Sequence, residues 1–113
     1  MASVKTQDGV TIAYRTFGDG PAKVVLVHGW MVSSAVYEPL LEALDLTGLT
    51  VIVPDLRGSG ASDRPGSGHS IAEHAADVLA VADAEGASSF AIVGHSMGGQ
   101  IAAWIAATAQ AAS

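Results

Sequence analysis

The sequence predicts an α/β fold, an antiparallel hairpin followed by parallel strands with flanking helices. Three observations carry that prediction. The turn signal Asp8-Gly9 separates runs at 4–6 and 10–17, the second alternating Ile12, Tyr14 and Thr16 against Thr11, Ala13 and Arg15. Such alternation marks a half-buried hairpin. Three later runs, at 23–28, 50–53 and 90–93, are apolar without alternation, as strands buried on both faces are. Helical segments separate them, the order expected of right-handed crossovers and a largely parallel sheet.

The elements follow in turn. After Gly18-Asp19-Gly20-Pro21, the core Val24-Val25-Leu26-Val27 predicts a buried strand. Residues 33–44 predict a helix with Ser33 or Ser34 near its start, Pro39 in its first turn, and Leu40, Leu41 and Leu44 turned inward. The run 50–53 is the next strand, and 54–68 is a long loop rich in glycine. Ser70 with Glu73 three residues on forms a capping box. It opens a helix whose Ile71, Ala75, Val78 and Ala82 share a face, until Gly86 ends it. Phe90-Ala91-Ile92-Val93 is a third buried strand, and an alanine-rich helix runs from Met97. Ligands of such sheets sit at the carboxyl ends of the strands, where His28-Gly29-Trp30, the loop from Asp55, and the turn at Ser96 converge.

Composition narrows the function classes. At 113 residues the chain is one domain, and 50% hydrophobic content suffices for a core. Five Lys+Arg against eleven Asp+Glu give a net charge of −6, which argues against nucleic acid and anionic membranes as partners. With no cysteine, disulfides, thiolate metal sites and cysteine nucleophiles are excluded. The first ten residues hold Lys5 and Asp8 and no apolar stretch of signal-peptide length, so the expected location is the cytoplasm. From Gly86 onward no residue is charged, but Gly94, His95, Ser96, Gly98, Gly99 and Gln100 interrupt any run long enough to span a membrane. A strand and helix buried on several sides is the expected reading, with covering elements from outside this chain.

Gly94-His95-Ser96-Met97-Gly98-Gly99 matches G-x-S-x-G, a strained strand-to-helix turn that exposes a serine. Only small residues fit two places before and after such a serine, and these places hold Gly94 and Gly98. The Met97 amide, at a helix start, faces where negative charge would develop on a substrate carbonyl. In the same arrangement the Trp30 amide is the second oxyanion donor, and Trp30 and Met31 line an acyl pocket. His28 and Gly29 also read as a structural histidine and a simple turn. Asp55-Leu56-Arg57-Gly58-Ser59-Gly60-Ala61-Ser62-Asp63 lacks the third glycine of a phosphate loop, and its carboxylates repel phosphate. Loop scaffolding, with Arg57 bridging carboxylates or carbonyls, fits better. His95 is expected to project away from the Ser96 hydroxyl, His74 to lie on a helix, and His69 in a solvated loop. No His, Asp or Glu spacing suggests a metal site, and no cofactor is expected.

With these three motifs in order, essentially the whole chain resembles the amino-terminal half of an α/β-hydrolase fold protein. The resemblance implies a serine hydrolase in which Ser96 attacks an ester-like carbonyl of a small molecule, the Trp30 and Met97 amides hold the oxyanion, and water releases the acyl group. Serine at this turn favours esterases, lactonases, perhydrolases and carbon–carbon bond hydrolases over haloalkane dehalogenase or epoxide hydrolase chemistry. No Asp, Glu or His follows Ser96. Residues 1–113 are therefore expected to form an incomplete domain, without triad acid, histidine or lid, and inactive alone. The strand at Phe90 to Val93 is expected to present an open edge for self-association or complementation. Two alternatives stand beside this reading: a non-catalytic binding module completed by a partner chain, and a small nucleotide-binding domain.

Overall fold

A computed structural model describes residues 2–29, 33–65, 70–87 and 89–112, the last four as backbone. Two strands, β1 (Ala2–Lys5) and β2 (Thr11–Gly18), form the antiparallel hairpin, with Val4 opposite Ile12. The turn between them closes through Gly9, at φ 82. Then come β3 (Ala22–Val27), a 3-10 turn (Ser34–Tyr37), α1 (Glu38–Ala43), β4 (Leu49–Pro54), α2 (Ile71–Ala84), β5 (Ala91–Gly94) and α3 (Met97–Ala112). The sheet order is β1-β2-β4-β3-β5. β2 runs antiparallel to β4, whereas β4 and β5 both pair parallel with β3.

The sheet separates two cores, and this explains the missing alternation. On one face Ile12, Val25, Val27 and Ile52 pack against Ala75, Val78, Val81 and Ala82 of α2 and Ile101 and Ile105 of α3. On the other, Leu26, Val51 and Val53 pack with Tyr37 and Leu41. Successive residues of β3 and β4 thus meet opposite but equally dry layers, so both parities must be apolar. The capping box at Ser70 and Glu73 is formed, and Gly86, at φ 68, follows the end of α2.

Two expectations are corrected. Leu40 and Leu44 do not turn inward; they are 41% and 38% exposed. The segment begins as a 3-10 turn, which advances 120° per residue rather than 100° and so shifts the phase of the buried stripe. Leu41 packs against the core instead, while Leu44 is already extended beyond α1. Nor is the third apolar run buried on both faces: Ile92 packs inward, but Val93 is 46% exposed and Ala91 is exposed. Ala91 and Val93 share the face of Val24 and Leu26, where the 3-10 turn and α1 cover only the middle of the sheet. Among the described residues β5 pairs only with β3. No helix is long and apolar enough to cross a membrane among the described residues.

Arg57 fastens the loop after β4 to α2. Its Nε and Nη2 donate to the two oxygens of Asp77 at 2.6 and 2.7 Å, and Nη1 lies 3.0 Å from Asp8 and 3.7 Å from Glu73. The guanidinium does bridge carboxylates, and hydrogen bonding to Asp77 pushes its pKa further up. Both partners of this fork are almost fully buried. Asp77→Ala removes the buried fork, leaves the guanidinium facing the part-exposed carboxylates of Asp8 and Glu73, and should cost about 3 kcal/mol. Asp8→Ala, at an exposed partner, should cost less. Urea denaturation midpoints of the two variants measure the difference.

Candidate active site

The turn between β5 and α3 is built by close backbone contact. Ser96 has φ 57, the only positive value at a non-glycine position among the described residues. A left-handed conformation costs an L-residue roughly 1–2 kcal/mol, so neighbours must hold it there. They do so by proximity. A Cβ added at Gly94 would lie 2.0 Å from the Gly98 oxygen, and one at Gly98 would lie 2.1 Å from the Val27 oxygen. The His95 N–H donates to that Val27 oxygen at 3.1 Å, fixing the turn to the end of β3. Gly99 has no such demand, since an added Cβ there meets only ordinary contacts.

This crowding leaves Ser96 exposed at the carboxyl end of β5. Met97 is the first residue of α3, so its N–H has no partner within the helix and points out of the helix start. Gly29 lies against the serine: a Cβ there would sit 3.0 Å from Ser96 Cβ and 3.5 Å from its Oγ. The structure thus brings together Gly29, Ser96 and the head of α3. Trp30, Met31 and His69 lie outside the described residues.

His28 is fully buried, between the ends of β3 and β4. The Leu56 N–H donates to its Nε2 at 2.9 Å, so that nitrogen carries no proton. Nδ1 therefore holds the ring proton and donates to the Gly29 oxygen at 2.8 Å. Burial pushes its pKa below the ordinary 6.5, so the ring is neutral and both nitrogens are committed to structure. His74 is buried on α2, and His95 is exposed beside Ser96. Among the described residues no group of three His, Asp or Glu could hold a metal.

Asp55, expected only as part of a loop scaffold, has a larger place in the structure. It is buried, and its Oδ1 accepts from the Ser34 N–H at 2.8 Å while Oδ2 accepts from the Ala61 N–H at 3.1 Å. The available signal was a carboxylate at the exit of a continuously apolar strand, where an unpaired charge would be costly.

A family model described as alpha/beta hydrolase fold matches residues 23–112. The chain belongs to the α/β-hydrolase fold family. Its relatives include a non-heme chloroperoxidase of Streptomyces lividans, 38% identical over 94% of this chain and 39% of that protein. A bifunctional esterase/perhydrolase of Acinetobacter calcoaceticus is 36% identical, again over 94% and 39%. Among solved structures, a bottromycin epimerase in complex with bottromycin A2 superposes with a TM-score of 0.85 at 35% identity, over 94% of this chain and 43% of that one. The chain thus spans about two fifths of the length of these α/β-hydrolase relatives.

Two outcomes follow from this geometry. Gly98→Ala drives a Cβ into the backbone of β3, which no rotamer can relieve, and should destabilise the protein by more than about 2 kcal/mol; Gly99→Ala should be nearly neutral in the same thermal melts. Because His28 takes a proton less readily when folded than when unfolded, its share of stability is complete above about pH 6.5 and is lost as pH falls below that value. Denaturation midpoints between about pH 7.5 and 5 should decline less steeply in His28→Gln.

Proposed function

We propose that residues 1–113 are the nucleophile-bearing part of a serine hydrolase that transfers an acyl group from a small ester-like substrate to water through Ser96. The observation that carries this reading is the strained, exposed Ser96, held at φ 57 between a strand end and a helix start with Gly29 against its side chain. Strain of that kind persists only where surrounding structure enforces it, and it clusters at functional sites. In this reading Ser96 Oγ attacks the carbonyl carbon while a base takes its proton. The Met97 and Trp30 N–H groups hold the oxyanion, the leaving alcohol receives the proton, and water repeats the sequence to free the acid. Losing one oxyanion donor would cost about 3 kcal/mol of transition-state stabilisation.

The base and its orienting acid come, on this account, from sequence outside these residues. His28 is neutral, buried and engaged at both nitrogens, so it is no candidate for the base. Residues 1–113 alone should turn over roughly 10⁴ to 10⁶ times more slowly than the whole enzyme, as triad deletions do. The similarity to a bifunctional esterase/perhydrolase supports acyl transfer. A cytoplasmic setting belongs to the same reading, supported by a chain without cysteine.

A second reading has its own observation. β5 offers an unpaired edge among the described residues, with Val93 46% exposed, and a binding module could use it to pair with a partner chain. The similarity to an epimerase supports the point that this fold also serves other chemistry.

A fluorophosphonate probe distinguishes the two. The full-length polypeptide should be labelled at Ser96, and Ser96→Ala should abolish labelling. Labelling that survives the substitution overturns the assignment, and a folded, unlabelled protein in a stable complex through β5 favours the second reading.

A further inference from the structure

The carboxylate of Asp55 reaches a segment with which it shares no strand pairing. β3 leaves the sheet at Val27, and the chain returns as the 3-10 turn that starts at Ser34. Both ends of this excursion are tied to two consecutive residues at the end of β4. At the start, His28 Nε2 accepts the Leu56 N–H at 2.9 Å, while its Nδ1–H holds the Gly29 oxygen at 2.8 Å. At the return, the Ser34 N–H donates to Asp55 Oδ1 at 2.8 Å. The other Asp55 oxygen takes the Ala61 N–H at 3.1 Å, and a Cβ at Gly60 would overlap the carboxylate at 2.4 Å. Tyr37, in the returning turn, donates its hydroxyl to the Val27 oxygen at 2.8 Å, the same oxygen that accepts from His95. One carbonyl therefore joins the returning turn to the Ser96 turn.

We propose that Asp55 is a positioning residue for the Ser96 site: its carboxylate pins the returning segment at Ser34, and with the His28 tie at the other end this holds Gly29 against Ser96. The inference rests on the serine hydrolase reading for its catalytic consequence, though not for its structural one. An apolar residue at this buried position would avoid the cost of desolvating a charge. The carboxylate instead supplies two acceptors in fixed directions, to N–H groups 21 and 6 residues away in sequence. Asp55 touches no reacting atom. It acts through Ser34 and the turn that starts there, whose Tyr37 hydroxyl shares the Val27 oxygen with the Ser96 turn.

The test uses the full-length polypeptide with a p-nitrophenyl ester, the fluorophosphonate probe and hydrogen exchange. Asp55→Ala should lower kcat by about 100-fold with KM nearly unchanged, and slow Ser96 labelling by a similar factor, the scale expected when a reacting group is misplaced by about 1 Å. Asp55→Asn keeps one acceptor and should recover part of that loss. Asp63→Ala is the control: it removes a carboxylate that accepts the Thr11 N–H from the same loop, and should leave kcat unchanged. Should Asp55→Ala fail to fold, Ser34→Pro removes the Ser34 N–H together with a hydroxyl that accepts from Arg15 at 3.3 Å, and Ser34→Ala, which loses only the hydroxyl, is its control. Ser33 is already extended at φ −139, as a residue before proline must be, and proline is tolerated at a first helical position.

Amide exchange at residues 28–29 and 33–37 should rise at least about 10-fold in Asp55→Ala or Ser34→Pro, with α2 unaffected. Unchanged exchange there overturns the proposal whether or not the wild type is an enzyme. Wild-type kcat in folded Asp55→Ala overturns its catalytic half. A wild type that neither labels nor hydrolyses refutes the hydrolase reading instead, and leaves the exchange result to decide the positioning role.

Discussion

Backbone-to-backbone contact at Gly94 and Gly98 is the constraint on which the rest of the structure depends. These residues let the end of β5, the head of α3 and the end of β3 approach to distances that any side chain would block. Within these contacts Ser96 takes φ 57. The same closure brings Gly29 to the serine at the head of α3. Strain at one residue is thereby sustained by packing spread over three elements.

Around this turn the fold commits several buried polar groups to geometry. Arg57, His28 and Asp55 are all buried in or beside the segment leaving β4. Each could have been replaced by a hydrophobe at lower desolvation cost. Arg57 fixes the segment to α2, His28 fixes it to the exit of β3, and Asp55 fixes it to the returning turn. The end of the central strand is thus tied to a helix, a strand exit and the returning turn, and the Val27 carbonyl joins that turn to the serine.

Much of the fold was legible because its signals are local. Asp8-Gly9 marked the hairpin, the Ser70 and Glu73 pair marked the start of α2, and unbroken apolar runs marked strands covered on both sides. The glycine spacing around Ser96 was legible for the same reason: steric exclusion acts on the neighbours in sequence. What failed depended on phase or on distant cover. Leu40 was misread because a 3-10 start turns the stripe and Leu44 because α1 ends before it, and no residue type announces either. β5 was misread because an apolar run does not say how far the layer above it extends. The Arg57 fork to Asp77 was visible only as a general expectation of bridging, and the anchor from Asp55 to Ser34 had no specific signal, since a backbone N–H looks the same at every position.

On the serine hydrolase reading, crowded backbone presents Ser96 Oγ where amide donors meet a developing oxyanion. The most direct measurement is a crystal structure of the full-length polypeptide after reaction with a phosphonate. The expected adduct has a covalent bond to Ser96 Oγ, φ of that residue near 57, and the phosphoryl oxygen about 3 Å from the Met97 nitrogen. An adduct whose oxygen points into solvent, or a Ser96 with negative φ and its hydroxyl turned into the interior, would contradict it.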